Sequence, residues 1–132
     1  MKIKHLNTTW REFLKKKRNR NYTGQLIDSE THVYLLNGKL HRIDGPAIEC
    51  ANGDKYWFLN GLHHREDGPA LEWANGHKEW YLNGKRHRED GPAYEGADGY
   101  KEWHLNGKKL TEEEWTYTVR LNKLGEFLNE NS

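Results

Sequence analysis

Residues 83–93 of the chain read NGKRHREDGPA, and this stretch decides the fold because it is one copy of a repeat. Its second half, HREDGPA, starts at His87 and also at His64, and the variant HRIDGPA starts at His41, so the step is 23 residues. Leu-Asn-Gly recurs in the same register at residues 36, 59, 82 and 105. A second turn (ANGD, ANGH and ADGY) begins at residues 51, 74 and 97. Three markers with one period indicate a repeat array.

Each unit predicts antiparallel β-hairpins. Asn-Gly and Asp-Gly between short alternating apolar runs are typical of type I′ turns, in which both central residues have positive φ. A unit therefore contains a strand PAIEC, a turn at Asn52-Gly53, a strand KYWFL, a turn at Asn60-Gly61 and a polar arm leading into the next unit. One period earlier, a degenerate first hairpin is expected over residues 24–36. The sequence thus predicts a mainly β array of about four antiparallel hairpins.

Both ends of the array predict a short capping helix. The segment TEEEW (residues 111–115) has capping-box spacing and precedes apolar residues at helical spacing. Thr9 and Glu12 have the same spacing near the N-terminus. We therefore divide the chain into an N-terminal helix with a basic segment (1–23), the hairpin repeats (24–110) and a C-terminal capping helix (111–132).

Strand alternation places the aromatic side chains on two faces. Trp57 lies on one face, and Tyr56 and Phe58 lie on the other. We interpret the column of Trp57, Trp80 and Trp103 as a shared interior, because a small hairpin is not stable alone and each indole can bury ~150–250 Å². If the indoles instead face outwards, they offer stacking platforms for bases. The candidates for an exposed binding surface are Tyr56, Phe58, Tyr81 and His104.

Each arm carries the same His-Arg-x-Asp constellation. Its copies are His41, Arg42 and Asp44; His64, Arg65 and Asp67; and His87, Arg88 and Asp90. In a structural interpretation, Arg or His pairs with an Asp of its own or the adjacent unit, and the Asp stabilises the following turn. In a functional interpretation, the cations form a row that binds an anion or a partner. The sequence leaves both interpretations open.

The arms do not have the composition of a catalytic or metal site. Three equal copies lack the single asymmetric constellation and the distinct nucleophile of an active site. Cys50 occurs in one unit only, which favours a packing role. The His residues have no ligand spacing, no Cys pair exists, and an Arg follows each arm His. We therefore expect no enzyme activity, no metal and no cofactor.

Composition narrows the classes of partner. The chain has 132 residues, an apolar fraction of 34%, six Trp and seven Tyr, so one domain with a thin aromatic core is expected, which favours self-association. The net charge of +1 favours neither a nucleic-acid nor a membrane partner. The one cluster of like charge, KKKRNR at residues 15–20, is either a solvated helix end or a contact for nucleic acid, a phosphorylated ligand or an acidic partner. One cysteine and no apolar leader segment predict a cytoplasmic location.

The stretch NGKRHREDGPAYEGADGYKEWHLNGKK resembles the MORN repeat, a hairpin unit with similar turns and aromatic positions. The resemblance covers roughly residues 24–110 and is closest to a divergent group with LNGKxHREDGPA units in tailed phages and giant viruses. It implies a curled array of hairpins that acts as a scaffold, a dimerisation module or, in some cases, a lipid-associated module rather than as an enzyme. A phage source would imply an accessory protein that acts on the host, including against a defence system.

Taken together, these features predict a non-enzymatic binding or inhibitor protein. The repeat sheet and the His-Arg arms would engage a host protein. The alternative is a protein that sequesters a nucleotide or cyclic nucleotide by stacking its base and pairing its phosphates with Arg. A weaker alternative is an enzyme that degrades such a nucleotide through His and Asp.

Overall fold

The computed structural model describes residues 2–130, and this part of the chain is mainly β with a helix near each end. The helices are α1 (Trp10–Lys15), a short 3-10 helix (Lys17–Asn19) and α2 (Glu112–Glu130). The strands are β1 (Ile3–His5), β2 (Gly24–Ile27), β3 (Thr31–Leu36), β4 (Lys39–Leu40), β5 (Ile48–Cys50), β6 (Lys55–Tyr56), β7 (Phe58–Leu59), β8 (Leu62–His63), β9 (Leu71–Glu72), β10 (Lys78–Glu79), β11 (Tyr81–Leu82), β12 (Lys85–Arg86), β13 (Tyr94–Glu95), β14 (Lys101–Leu105) and β15 (Lys108–Leu110). The predicted fold class, antiparallel hairpins with a helix at each end, is confirmed.

One long sheet runs through the array. Within residues 2–130 it contains eleven strands, in the order β1-β2-β3-β5-β6-β9-β10-β13-β14-β15 with β4 paired to β3. β1 is parallel to β2, and the other pairs are antiparallel. The two remaining hairpins are β7–β8 and β11–β12.

The Leu-Asn-Gly turns have the geometry that the sequence predicts. Asn60 and Gly61 have φ of 49° and 79°, and the equivalent residues of the other three units are within a few degrees of these values. Two successive positive φ angles are typical of a type I′ turn. The Gly61 amide donates to Leu40 O at 2.8 Å, and the Gly84 amide donates to His63 O at the same distance. Each turn is therefore bonded to the preceding hairpin.

The hydrophobic core lies at the N-terminal end of the array. It consists of Trp10, Phe13, Tyr22, Leu26, Val33, Leu35 and Ile48. Helix α1 and the segment that follows it supply a second layer over the first strands, so large apolar side chains can be buried between two layers there. Further along the array the sheet has no such cover from α1.

The prediction that the indoles form the interior is wrong. Trp57, Trp80 and Trp103 are only half-buried and lie outside the core cluster. Tyr56 and Phe58, which we expected to be exposed, are half-buried and pack against the core. The two faces were therefore separated correctly but assigned the wrong way round. We call the side of Val33, Ile48, Tyr56 and Phe58 the core face, and the side of the Trp column the arm face.

The core face changes from apolar to polar along the array. In register across the sheet, it presents Val33, Ile48, Tyr56, Leu71, Glu79, Tyr94 and Glu102. Glu79 is buried and is bonded to His77 Nε2 at 2.9 Å and to the Tyr81 hydroxyl at 2.8 Å. Burial by itself would raise the pKa of Glu79, but these bonds and the charge of Arg86 outweigh it and hold the pKa below its usual value. The later units thus bury an ionised polar cluster instead of apolar side chains.

On the arm face, the central strands carry acids and lysines in alternation. Across the sheet the order is Glu49, Lys55, Glu72, Lys78, Glu95 and Lys101. Opposite charges at neighbouring cross-strand positions attract each other, and the lysines are exposed. This face therefore needs no second layer to be stable in water.

Helix α2 closes the C-terminal end. The Glu114 amide donates to Thr111 Oγ1 at 3.1 Å, and Glu114 Oε1 accepts from the Thr111 amide at 3.2 Å, which forms the predicted capping box. The Trp115 indole N–H donates to Arg88 O at 2.8 Å, and Val119 is buried. Among the described residues, no helix has both the length and the apolar composition to span a membrane.

Candidate functional site

The polar arms (residues 41–47, 64–70 and 87–93) fold back onto the aromatic residue of their own unit. In the second arm, the Trp57 amide donates to Ala70 O at 2.7 Å, and Trp57 O accepts from the His64 amide at 3.2 Å. Ala70 has no exposed surface, so the arm backbone lies directly against the sheet. The other two arms are held by the same bonds at Tyr34 and Trp80.

The arm Arg holds its own unit together. Arg65 Nε donates to Asp67 Oδ1 at 2.8 Å. Its Nη1 donates to Pro69 O and to Glu72 Oε1, both at 3.1 Å. The guanidinium also lies over the Trp57 ring, 3.9 Å from the ring centroid, which is a cation–π contact. Arg42 over Tyr34 and Arg88 over Trp80 repeat the arrangement at 4.0 Å and 3.7 Å.

The arm His connects one unit to the next. His64 Nδ1 accepts a hydrogen bond from the Asn83 amide at 2.9 Å. His41 and His87 accept in the same way from the Asn residues one unit ahead, also at 2.9 Å. Because the donor is a backbone N–H, Nδ1 carries no proton, and the neutral ring is protonated at Nε2. The row of His side chains therefore bonds successive units to each other.

What the arms present to solvent is acidic. The side chains of Asp44 and Asp67 are 85% exposed, and those of Asp90 and Glu66 are 83% exposed. The hydrogen bond from Arg65 and its positive charge hold the pKa of Asp67 below its usual value, so this carboxylate is ionised at neutral pH. The Arg side chains, which one of the two interpretations made an anion-binding row, are thus bonded within the array, and carboxylates together with Ile43 form the outer edge.

Two equivalent grooves separate the arms. The first has a volume of about 610 Å³ and the second about 540 Å³. Each combines apolar surface from an indole, a Leu and a Pro with acidic side chains. The first groove is lined by Arg42, Ile43, Asp44, Gly45, Pro46, Trp57, Leu59, His64, Arg65, Glu66 and Asp67. The second is lined by Arg65, Glu66, Asp67, Gly68, Pro69, Trp80, Leu82, His87, Arg88, Glu89, Asp90 and Lys123.

The aromatic residues that we proposed for an exposed binding surface do not form one. His104 is only 5% exposed, and its Nε2 lies 2.9 Å from Glu102 Oε1. Tyr81 is half-buried and donates its hydroxyl proton to Glu79. These residues belong to the polar cluster of the core face. The reason is that the two faces of the sheet were assigned the wrong way round. Tyr81 and His104 were expected on the solvent-facing side, and in the folded array they lie on the covered core face.

Sequence reasoning also missed His63 of the core face. Its ring lies between Phe58 and Tyr81, with centroid distances of 4.1 Å and 5.1 Å. Within residues 2–130, its Nδ1 is buried without a hydrogen-bond partner. Burial lowers the pKa of His63 below its ordinary value, and the nearby charge of Glu79 offsets this only in part. The sequence contained one signal for it. His63 occupies the position directly before the arm His, where the first unit has the apolar Leu40 and the third unit has the cationic Arg86.

We expect His63 to make the protein less stable in mild acid. As the pH falls below about 6.5, the unfolded chain binds a proton at His63 before the folded chain does. The free energy of unfolding therefore falls until the pH passes the lower pKa of the folded state, and then levels off. Urea denaturation between about pH 7 and pH 5 should show a smaller loss for His63→Phe than for the wild type. His5→Phe, at an exposed position, should follow the wild type; parallel curves for His63→Phe and the wild type would contradict the expectation.

Comparison with known proteins finds no match: no protein-family model, no curated protein and no solved structure matches this chain. The likeness to MORN units therefore remains a resemblance in period, turns and aromatic positions. Function has to be inferred from the arms, the grooves and the charges on them.

Proposed function

We propose that the chain is a non-enzymatic binding protein that engages a basic segment of another protein through the grooves between its arms. One observation carries the proposal. The arm Arg and His side chains are used within the array, whereas carboxylates predominate among the exposed side chains along the rims of both grooves, beside the apolar Ile43 in the first groove and the cationic Lys123 in the second. Lys and Arg side chains of a partner complement such rims.

The shape of the grooves supports an extended peptide as the bound segment. Pro46, Trp57 and Leu59 provide apolar surface in the first groove, and their equivalents in the second groove are one repeat period further along the chain. A peptide that alternates cationic and apolar side chains would place the apolar ones in the grooves and the cationic ones at the rims. Because the two grooves share their Pro, Trp and Leu positions and an Asp on each flanking arm, a similar pattern is accepted twice, which strengthens binding without a new type of contact.

The nucleotide alternative receives less support. The faces of Tyr34, Trp57 and Trp80 are covered by guanidinium groups, which leaves less ring surface for a base. The Arg donors that would hold phosphates already bind Asp, Glu and a backbone carbonyl. The exposed carboxylates also repel phosphate. A rise in melting temperature with one member of a nucleotide panel would favour this alternative.

The resemblance to LNGKxHREDGPA proteins of phages adds a biological context to the proposal. In that context the partner is a host protein, and occupying its basic segment blocks it, for instance in a defence system. Such an inhibitor needs affinity and specificity but no chemistry of its own. The acidic rims would also speed association with a basic target at low salt.

The test uses the protein as bait in affinity purification from a host lysate, with quantitative mass spectrometry. Glu66→Gln with Asp67→Asn removes two rim charges but keeps the oxygen that accepts from Arg65 Nε. For at least one protein that the wild-type bait retains, we expect the amount retained by the rim variant to be lower by about tenfold or more. Each exposed charge contact contributes up to about 1 kcal/mol, and the variant removes two charges. The control bait, Glu126→Gln with Glu130→Gln on α2, should retain it. Equal retention by the rim variant would overturn the proposal.

A further inference from the structure

The net charge of +1 conceals a strong separation of charge along the chain. Residues 1–20 contain eight Lys and Arg residues and one acid, whereas residues 21–132 contain 13 Lys and Arg residues and 19 acids. The N-terminal segment therefore carries +7, and the remainder carries −6. Our expectation about nucleic acid was based on the net charge of the whole chain. Net charge does not describe the electrostatic field near one segment.

The fold keeps these N-terminal cations at the surface. Lys2, Lys4 and Arg11 extend over the rings of Tyr22, Phe13 and Trp10 at 4.4 Å, 5.4 Å and 4.4 Å from the ring centroids. The aromatic residues themselves are buried and the three cationic residues are exposed, so the cations cover the core and remain accessible to solvent. Glu12, the one acid of the segment, is paired with Lys15 at 2.6 Å and neutralises that lysine.

A small pocket lies within this basic surface. It has a volume of about 210 Å³ and is formed where β1 and the loop after it face the end of α1 and the 3-10 helix. Its polar and charged lining includes Lys4, His5, Thr8, Lys16, Arg18 and Asn19. No carboxylate is among the lining residues within the described part of the chain. Cationic residues from β1 and from the segment around the 3-10 helix therefore line the same pocket.

We propose that this N-terminal surface binds the phosphate backbone of a nucleic acid without reading its bases. A phosphodiester carries its negative charge on two non-bridging oxygens, each able to accept more than one hydrogen bond, and the cationic residues Lys4, Lys16 and Arg18 line one pocket. The flanking cations, on Lys2, Arg11, Lys17 and Arg20, extend the surface to further phosphates. The proposal is independent of the grooves between the arms, which use other residues.

The surroundings of the surface favour this ligand over two others. Trp10, Phe13 and Tyr22 are each only 8% exposed, so they provide no stacking platform for unpaired bases, and duplex phosphates are the better fit. Among residues 2–20, Ile3 is the one exposed large apolar side chain, which is too little to anchor the surface in a lipid bilayer. An acidic protein would present separate carboxylates on flexible side chains, whereas a duplex presents closely and regularly spaced phosphates, which suits cations that several elements hold along one surface.

The test is fluorescence anisotropy with a labelled DNA duplex of about 20 base pairs, titrated from about 50 to about 200 mM salt. We expect log K to fall against log salt with a slope between about −3 and −6, because several phosphates exchange their counterions for cations of the protein. Lys16→Glu with Arg18→Glu should weaken binding at low salt about 100-fold and reduce the slope by about 2. Lys85→Glu with Lys108→Glu, the same change of charge at two exposed positions that begin strands β12 and β15, should leave the slope unchanged.

The possible results separate the alternatives. Absence of duplex binding at low salt, or a slope that does not change in the Lys16 and Arg18 variant, would overturn the proposal. Equal binding to poly-glutamate or to phosphatidylserine vesicles, with the same dependence on Lys16 and Arg18, would assign the surface to an acidic protein or a membrane instead. If circular dichroism shows that the Glu variant is unfolded, Lys16→Gln with Arg18→Gln gives the same comparison, with a slope reduced by about 2.

Discussion

Replacement of Arg65 by Ala is expected to lower the free energy of unfolding by about 3 kcal/mol. The substitution removes the guanidinium from the Trp57 ring and leaves Pro69 O and Glu72 Oε1 without their donor. The side chain of Arg65 is 21% exposed and that of Glu72 is 34% exposed, so water relieves part of the cost. The loss is therefore smaller than for a fully buried ion pair but much larger than for a surface pair.

Urea denaturation, monitored by tryptophan fluorescence, measures this loss of stability. The repeat allows the same substitution to be tested in three units. Arg42→Ala and Arg88→Ala remove the same contacts in the neighbouring units and should cost similar amounts. The free energy of unfolding of Arg65→Lys should lie between those of the wild type and Arg65→Ala, because an ammonium cannot bind Asp67, Pro69 and Glu72 in the geometry of the guanidinium fork. Arg120→Ala, at an exposed position on α2, should change stability by less than about 0.5 kcal/mol.

The result decides between the two interpretations of the arms. If Arg65→Ala costs less than about 1 kcal/mol, the guanidinium is not essential to the array and is free to bind an anion. If the loss is near the expected value, Ala substitutions of the arm Arg residues damage folding and binding together. This is why the binding test above leaves the arm Arg residues in place and neutralises Glu66 and Asp67, where Asp67→Asn keeps an oxygen that can accept from Arg65 Nε.

Much of the fold could be predicted because its determinants are local. Asn60 and Gly61 both accept positive φ, so the turn is encoded by two adjacent residues, and the 23-residue spacing transfers it to every unit. The capping box at Thr111 and Glu114 is encoded within four residues in the same way. Strand alternation then separated Trp57 from Tyr56 and Phe58 correctly.

The identity of the buried face could not be predicted, because it depends on contacts between distant residues. An indole is equally compatible with a core and with a half-exposed position under a guanidinium. Arg65 covers Trp57 from eight residues further along the chain, and α1 covers the opposite face from the other end of the sequence. Neither contact can be recognised from the alternation of apolar and polar residues along a strand.

The candidate site was predicted only in outline. The sequence singled out the arms, and it offered pairing of Arg with Asp in the same unit as one of two interpretations; in the structure Arg65 does bind Asp67. It did not indicate that Arg65 would also use Pro69 O and Glu72, which leaves the carboxylates as the outward charge. The same interpretation allowed His64 to pair with an Asp, whereas its Nδ1 accepts from the Asn83 amide of the next unit, a contact that only the stacking of units creates.

Leu26→Ala tests the location of the core, and we expect it to cost about 3–5 kcal/mol in the free energy of unfolding. Leu26 has no exposed surface and pairs in register with Val33, which is equally buried. Its truncation leaves a cavity between the first strands and α1, the region in which two layers enclose apolar side chains. Leu62→Ala removes the same atoms from a side chain that is 49% exposed and should cost less than about 1 kcal/mol.

The two Leu variants also show how far the array depends on that core. The later units bury Glu79 and His104 and, among their large apolar side chains within residues 2–130, Leu105, so they gain less from apolar burial than the first strands and need a stable neighbour. We therefore expect Leu26→Ala to lower the hydrogen-exchange protection of the Trp80 amide, which donates to Ala93 O far from the substitution. Protection of that amide at the wild-type level would mean that the later units fold independently. A loss no greater than that of Leu62→Ala would mean that the first strands and α1 do not form the main core.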